Sequence, residues 1–266
     1  MSEQAAVNHL EKILHQQRAF NVSETISRGF EIWKSDFGAF TGYGLVYLVF
    51  ALVLGSVPVI GQVASSLLVS PALSLGGAIY AYRVYTKEDR EFANFFDGFT
   101  HWQTLILVSG VTITLAILFL APIIFAFGWE SFMSAGMNYE IADFEDFELS
   151  SLSLVIMSIA VIAAVYIGVC LSYAVYIAGF FELGAVSSLK YSYKFVSRQW
   201  VWVFLYTIAA GICAISGLLL LLVGIVITYP MIFAMQFAGL EELTAVKEFY
   251  QGPEEDPAIV IEDMFG

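Results

Sequence analysis

A chain of 266 residues is long enough for one or two soluble domains. Its composition excludes them: 59% of the residues are hydrophobic and 13% charged, where soluble proteins carry about 45–50% apolar and about 25% charged residues. Mean hydropathy is +0.79, and the net charge of −13 argues against nucleic acid as a partner and against bulk attraction to anionic lipid as the main source of affinity.

The chain therefore reads as an all-α, polytopic membrane bundle, with a membrane domain over 22–245 between two short ends. Residues 1–21 are expected to form a cytoplasmic tail or helix. They contain His9, Glu11 and His15, which could ligate a metal in principle but read as a solvated helix face. The first 36 residues lack an apolar core long enough for a cleavable signal peptide. In "NVSETISRGFEIWKSDF", Asn21 and Glu24 have capping-box spacing, and Ile26, Phe30, Trp33 and Phe37 follow about one turn apart. That pattern predicts an amphipathic helix lying in the interface.

Charge-free runs then place the spans, since each needs about 20 apolar residues and a charge at mid-bilayer is costly. Asp36 to Arg83 contains no charge and holds two spans, 38–57 and 62–82, turned at Pro58 and Gly61. Pro71 interrupts the second by removing a backbone donor. "EFANFFDGFTHW", with Phe92, Phe95, Phe96, Phe99 and Trp102 on one face, predicts a second interfacial helix before a span at 103–128. An outer loop with six acids and no Lys or Arg follows, then a span at 151–180. "AVSSLKYSYKFVSRQW" predicts a third interfacial helix with Val186, Leu189, Tyr193 and Val196 on its apolar face. Spans at 200–216 and 219–240 complete the set, divided near Ser216 and Gly217, with Pro230 breaking the last. Residues 246–266 are an acidic cytoplasmic tail.

Six spans put both termini on one side, and that side holds all eleven basic residues, from Lys12 to Lys247. The bias of Lys and Arg toward the cytoplasm makes this an N-in, C-in protein. Trp33, Trp102, Trp200 and Trp202 fall near the inner boundary, as an aromatic belt requires. Aligning Pro71 with Pro230 at an offset of 159 also aligns Pro58 with Gly217, which suggests a duplicated unit of interfacial helix, span, turn and span. Pro122 is the candidate counterpart in the middle unit.

The segments "FEIWKSDFGAF", "SPALSLGGAIYAYRVYTKEDREFANFFDGFTHW" and "AVSSLKYSYKFVSRQWVWVF" resemble the bacterial six-helix membrane proteins grouped with the DUF975 proteins. They are also similar to the membrane domain fused to some glycerophosphodiester phosphodiesterases. The likeness runs from about residue 22 to 245 and implies the six-helix fold and a bacterial cytoplasmic membrane. It implies no activity, because the family has no agreed one, and the phosphodiesterase activity of the fused proteins is not carried over, since their soluble domain has no counterpart here.

Chemistry is sparse. Cys170 and Cys213 sit in apolar runs as small hydrophobes, no intramembrane histidine supplies a base, and no cofactor motif is present, so no enzyme activity and no cofactor are expected. A non-catalytic role, as an accessory or organising subunit of a membrane complex or of the bilayer, is the first expectation. Membrane lipids are its expected partners, with Lys190, Lys194 and Arg198 at helical spacing as candidate headgroup contacts. A protein subunit could bind at the acidic outer loop, through Glu140, Asp143, Glu145, Asp146 and Glu148, or at the C-terminal tail. The alternative is a transporter or lipid-passage protein, because paired broken helices can mark a midplane site. Gln62, Ser70, Pro71, Tyr229, Pro230 and Gln236 would form it. Pro kinks can equally serve packing, with Gly76, Gly77, Ala160, Ala164, Gly179 and Gly211 letting helices approach closely.

Overall fold

The fold is that of a computed structural model, which describes residues 3–16, 18–137 and 151–252. No strand occurs among the described residues. In an apolar medium each backbone N–H and C=O must be satisfied within its own segment, and helices achieve this. Among the described residues six helices are long and apolar enough to cross a membrane: Phe37–Gly55, Ile60–Thr86, Phe92–Ile123, Leu154–Phe181, Trp200–Leu218 and Gly224–Thr244.

They form three hairpins. In the first, α2 (Val22–Ser35) leads into span one, α3 (Phe37–Gly55); span two comprises α4 (Ile60–Ala64), a π turn at Ser65–Val69 and α5 (Ser70–Thr86). In the second, a 3₁₀ segment (Phe92–His101) leads into span three, α6 (Trp102–Met137), and span four is α7 (Ser151–Leu171) followed by α8 (Ala174–Phe181). In the third, α9 (Ala185–Ser197) leads into span five, α10 (Trp200–Ile215). Span six is α11 (Leu221–Thr228) followed by α12 (Met231–Thr244). Outside the hairpins lie α1 (Glu3–Gln16) and the short α13 (Val246–Gln251).

The first span of each hairpin is continuous and the second is interrupted. Pro71 has no N–H for the residue-67 carbonyl, and the turn just before it widens to a π turn, leaving Pro71 in the tolerant first turn of α5. At Pro230 the helix stops outright, and the proline starts α12 as its N-cap. Span four is interrupted without proline at Ser172 and Tyr173, where the Ser172 hydroxyl and N–H both donate to the Val169 carbonyl, at 2.8 and 3.2 Å. The expected counterpart, Pro122, lies instead inside unbroken α6.

Each interrupted span also ends alike, on a non-glycine residue in the left-handed region: Lys87 (φ 58°), Glu182 (φ 51°) and Ala245 (φ 48°). This is the conformation that closes a helix C-terminus. A buried tyrosine repeats as well. Tyr43 donates its hydroxyl to the Leu73 carbonyl at 2.7 Å, and Tyr206 donates to the Met235 carbonyl at 2.5 Å. These pairs align at offsets of 163 and 162 rather than 159, about one helical turn away from the register of the two prolines.

Packing inside the bundle uses small faces. The buried side of α2 is Thr25, Gly29 and Ile32, while Phe30 is exposed. The buried side of α9 is Ser188, Tyr191, Ser192, Phe195 and Val196. Val186 and Tyr193, expected on an apolar face with Leu189 and Val196, point outward instead. The physical reason is that lipid is as apolar as leucine, so contact between helices favours small residues with satisfied hydroxyls. The Ser192 hydroxyl donates to the Cys170 carbonyl at 2.8 Å. A tight backbone approach joins span two to the 3₁₀ segment: a Cβ on Gly76 would overlap the Phe95 carbonyl, and one on Gly98 would overlap the Ala72 carbonyl. That closeness lets the Phe95 ring stack between Tyr43 and Tyr80, with centroids 4.1 and 3.8 Å away.

Candidate functional site

The residues grouped around the two prolines do not form one site. Gln62 is exposed in α4, the Ser70 hydroxyl lies 3.2 Å from that of Ser65, and Gln236 is partly buried along α12. Pro71 is partly buried in the first turn of α5. Pro230 packs on Gly44 of span one, where a Cβ would strike both the proline ring and the Val226 carbonyl. That carbonyl is the one whose helical donor Pro230 lacks. Tyr229 lies beside Tyr47, with ring centroids 5.1 Å apart. An apolar groove of about 230 Å³ opens there between spans one and six, and Tyr229 alone of the six candidates lines it.

The basic cluster on α9 is mostly committed. Lys194 donates to Glu11 Oε1 at 2.8 Å, the Tyr191 hydroxyl donates to the same oxygen at 2.9 Å, and Arg198 Nη1 donates to the Leu14 carbonyl at 2.5 Å. Two of the three cations thus hold α1, and Lys190 is exposed. The bonds from Lys194 and Tyr191 keep the Glu11 carboxyl below its ordinary range. Burial, with the bond to Glu11, pushes the Tyr191 phenol up to about 12.

Helix α1 is consequently part of a cap. Ala6, Leu10, Ile13 and Leu14 are buried along one stripe, and His9 sits 2.9 Å from the Thr244 carbonyl with its ring against Phe181 and Phe249. His9 is therefore packed, not on a solvated face. Glu248 of α13 accepts from Lys12 at 2.8 Å and Arg18 at 3.1 Å, and these bonds hold its carboxyl low. Arg28 pairs with Glu242 at 2.9 Å, and the Tyr250 hydroxyl donates to the Phe180 carbonyl. Residues 246–252, grouped by the sequence with the tail, belong to this closure. The spacing of Ala6, Leu10, Ile13 and Leu14 is the signal that could have shown the burial of α1.

Between α1, the turn after it and the start of span five lies a cavity of about 590 Å³. Arg18, Arg198, Gln199 and Trp202 line it above an apolar floor that includes Ile13 and Phe195. Gln199 accepts from the Phe20 N–H at 2.8 Å and so fixes that turn. Glu140, Asp143, Glu145, Asp146 and Glu148 lie outside the described residues, as does the tail from 253 onward. No family model, curated protein or solved structure matches the chain.

Proposed function

We propose that this is a non-catalytic, multi-pass protein of a bacterial cytoplasmic membrane, with both termini in the cytoplasm, that organises lipid or a membrane complex at the inner leaflet. The observation behind this reading is a repeated pair of exposed aromatic side chains where each hairpin enters the membrane. They are Phe30 and Phe37, Phe92 and Trp102, and Tyr193 and Trp202. Trp and Tyr rings at that depth anchor a protein in the interface, and Phe on the apolar face of an interfacial helix buries beside them. The resemblance to six-helix bacterial membrane proteins points to the same location.

Two measurements test the reading. Single cysteines placed at 90 and at 57 report orientation, with residue 90 expected to react only from the cytoplasmic side. Replacing Phe30, Phe92 and Tyr193 together by Ser should leave the protein folded but abolish its effect on inner-leaflet lipid order and its recovery of a stoichiometric partner. Solute or lipid flux through the reconstituted protein that is insensitive to those changes sinks the proposal. A second reading, lipid passage, is favoured by the groove beside Pro230 with its two phenols; flux lost in Tyr47→Phe and Tyr229→Phe would support it.

A further inference from the structure

We propose that the cavity between α1, α9 and span five binds one phospholipid with an anionic headgroup, its phosphate held between Arg18 and Arg198. The leaflet assigned to that lipid rests on the orientation proposed above; the chemistry of the site does not. Two guanidinium groups line this cavity and no carboxylate does. Each has five N–H donors in a planar fork. Arg198 has one donor atom on the Leu14 carbonyl and Arg18 one on Glu248, so both keep others for a phosphate, the acceptor that suits bidentate contact.

The remainder of the lining decides between kinds of anion. Ile13, Leu14, Phe20, Phe195 and Leu243, all buried, also line the cavity beside the arginines. A soluble phosphate would use the guanidinium groups alone, whereas a zwitterionic lipid would bring its own cation up to two arginines together with its phosphate, so an anionic headgroup suits the site best. Trp202, in the first turn of span five, is 54% exposed and stands at the cavity, at the depth where an aromatic ring marks the interface. From there Val201, Leu205, Ile208 and Ile212 run along span five as an exposed apolar stripe at helical spacing, a path for an acyl chain. The overall charge of −13 does not oppose this, because eleven of the 24 acids belong to the loop 130–148 and the tail 253–266.

The test uses the full chain in nanodiscs of phosphatidylcholine doped with phosphatidylglycerol, with retained lipid counted by native mass spectrometry. The wild type should retain one phosphatidylglycerol about tenfold more strongly than phosphatidylcholine, the ratio expected when charge-assisted hydrogen bonds are worth about 1.5 kcal/mol. Arg198→Gln should remove most of that preference. Because Arg198 also holds α1, Ala19→Asp supplies the decisive comparison: Ala19 is exposed, lies in the non-helical turn and lines the cavity, so the new carboxylate repels phosphate without disturbing packing. Loss of retention in Ala19→Asp but not in Ala19→Ser supports the site. Equal retention of both lipids by the wild type, or undiminished phosphatidylglycerol in Ala19→Asp, overturns it. Displacement by inorganic phosphate alone also overturns it, in favour of a soluble anion. Reversed orientation in the cysteine labelling would move the lipid to the other leaflet and leave these counts unchanged.

Discussion

At the scale of single residues, glycines in similar helices have opposite meanings. Gly76 is a point of backbone contact with the 3₁₀ segment, so Gly76→Ala forces two elements apart and should cost about 1–3 kcal/mol, the usual range for overpacking. Gly211 lies in the interior of α10, and no atom beyond the helix's own adjoining backbone lies within 4 Å of where its Cβ would stand. Gly211→Ala should therefore stabilise by about 0.5–1 kcal/mol through reduced chain entropy. Thermal unfolding of the two variants in the same detergent would show it, with midpoints shifted in opposite directions. Sequence grouped Gly211 with Gly76 as packing residues because composition does not show which face of a helix meets a neighbour. The same limit applies at Asn21. Its side chain caps α2 by accepting from the Glu24 N–H at 3.2 Å, as the spacing predicted, but its own N–H donates to Glu242 at 3.3 Å instead of closing the reciprocal bond. A partner 221 residues away leaves no local trace.

At the scale of elements, α1 shows how a segment with little hydropathy becomes part of a membrane fold. Its ion pairs are largely exposed, each worth about 0–1 kcal/mol, so the buried stripe does most of the holding. The pairs nevertheless make docking sensitive to pH. Glu11, bonded by Lys194, and Glu248, bonded by Lys12, both have folded-state values below their unfolded ones. Their contribution is complete above the ordinary glutamate value of about 4.3 and is lost as pH falls through the depressed values. Protection of residues 3–16 against hydrogen exchange, taken relative to the intrinsic rate at each pH, should be constant from pH 7 to 5 and fall by a few-fold below about 4.3, with Glu11→Gln and Glu248→Gln each a few-fold less protected already at pH 7. Uniform protection down to pH 3 would contradict this. Element positions were legible because a charge-free run translates directly into a span. Element faces were not, because α2 turns Thr25 and Gly29 inward and Phe30 outward, and α9 buries Ser188 and Ser192 alongside Tyr191 and Phe195 while Val186 and Tyr193 face out.

At the scale of the molecule, three hairpins share one plan: a continuous span, an interrupted span and a left-handed closing residue. They are not equivalent in position. Over half of span six is buried, 56% of its most apolar window, against 17% for spans one, three and four. Span six is therefore the axis of the bundle, and truncation there should be far more damaging than on the outside. Phe233→Ala, at a side chain 1% exposed, should cost about 3–5 kcal/mol. Ile159→Ala, on the outward face of span four, should cost less than about 0.5 kcal/mol, as surface substitutions do. Denaturation midpoints in mixed micelles would rank them. The two prolines suggested a repeated unit in the sequence, and the two tyrosine hydroxyls pair spans one and two as they pair spans five and six in a register about one turn away from that of the prolines. A proline marks where a helix is interrupted, and that point can shift by a turn without moving the packing beneath it.

The cap also has a consequence for the order of assembly. Helix α1 precedes its partners in the chain: they are on α9, α12 and α13, 183 to 236 residues further on. Helix α1 must wait, undocked, until span six is in place. Closure of α1 thus reports that all three hairpins have been inserted. A chain that stops before Glu248 would display the apolar stripe of Leu10, Ile13 and Leu14 as a mark of incomplete synthesis, available to whatever machinery inspects unfinished membrane proteins.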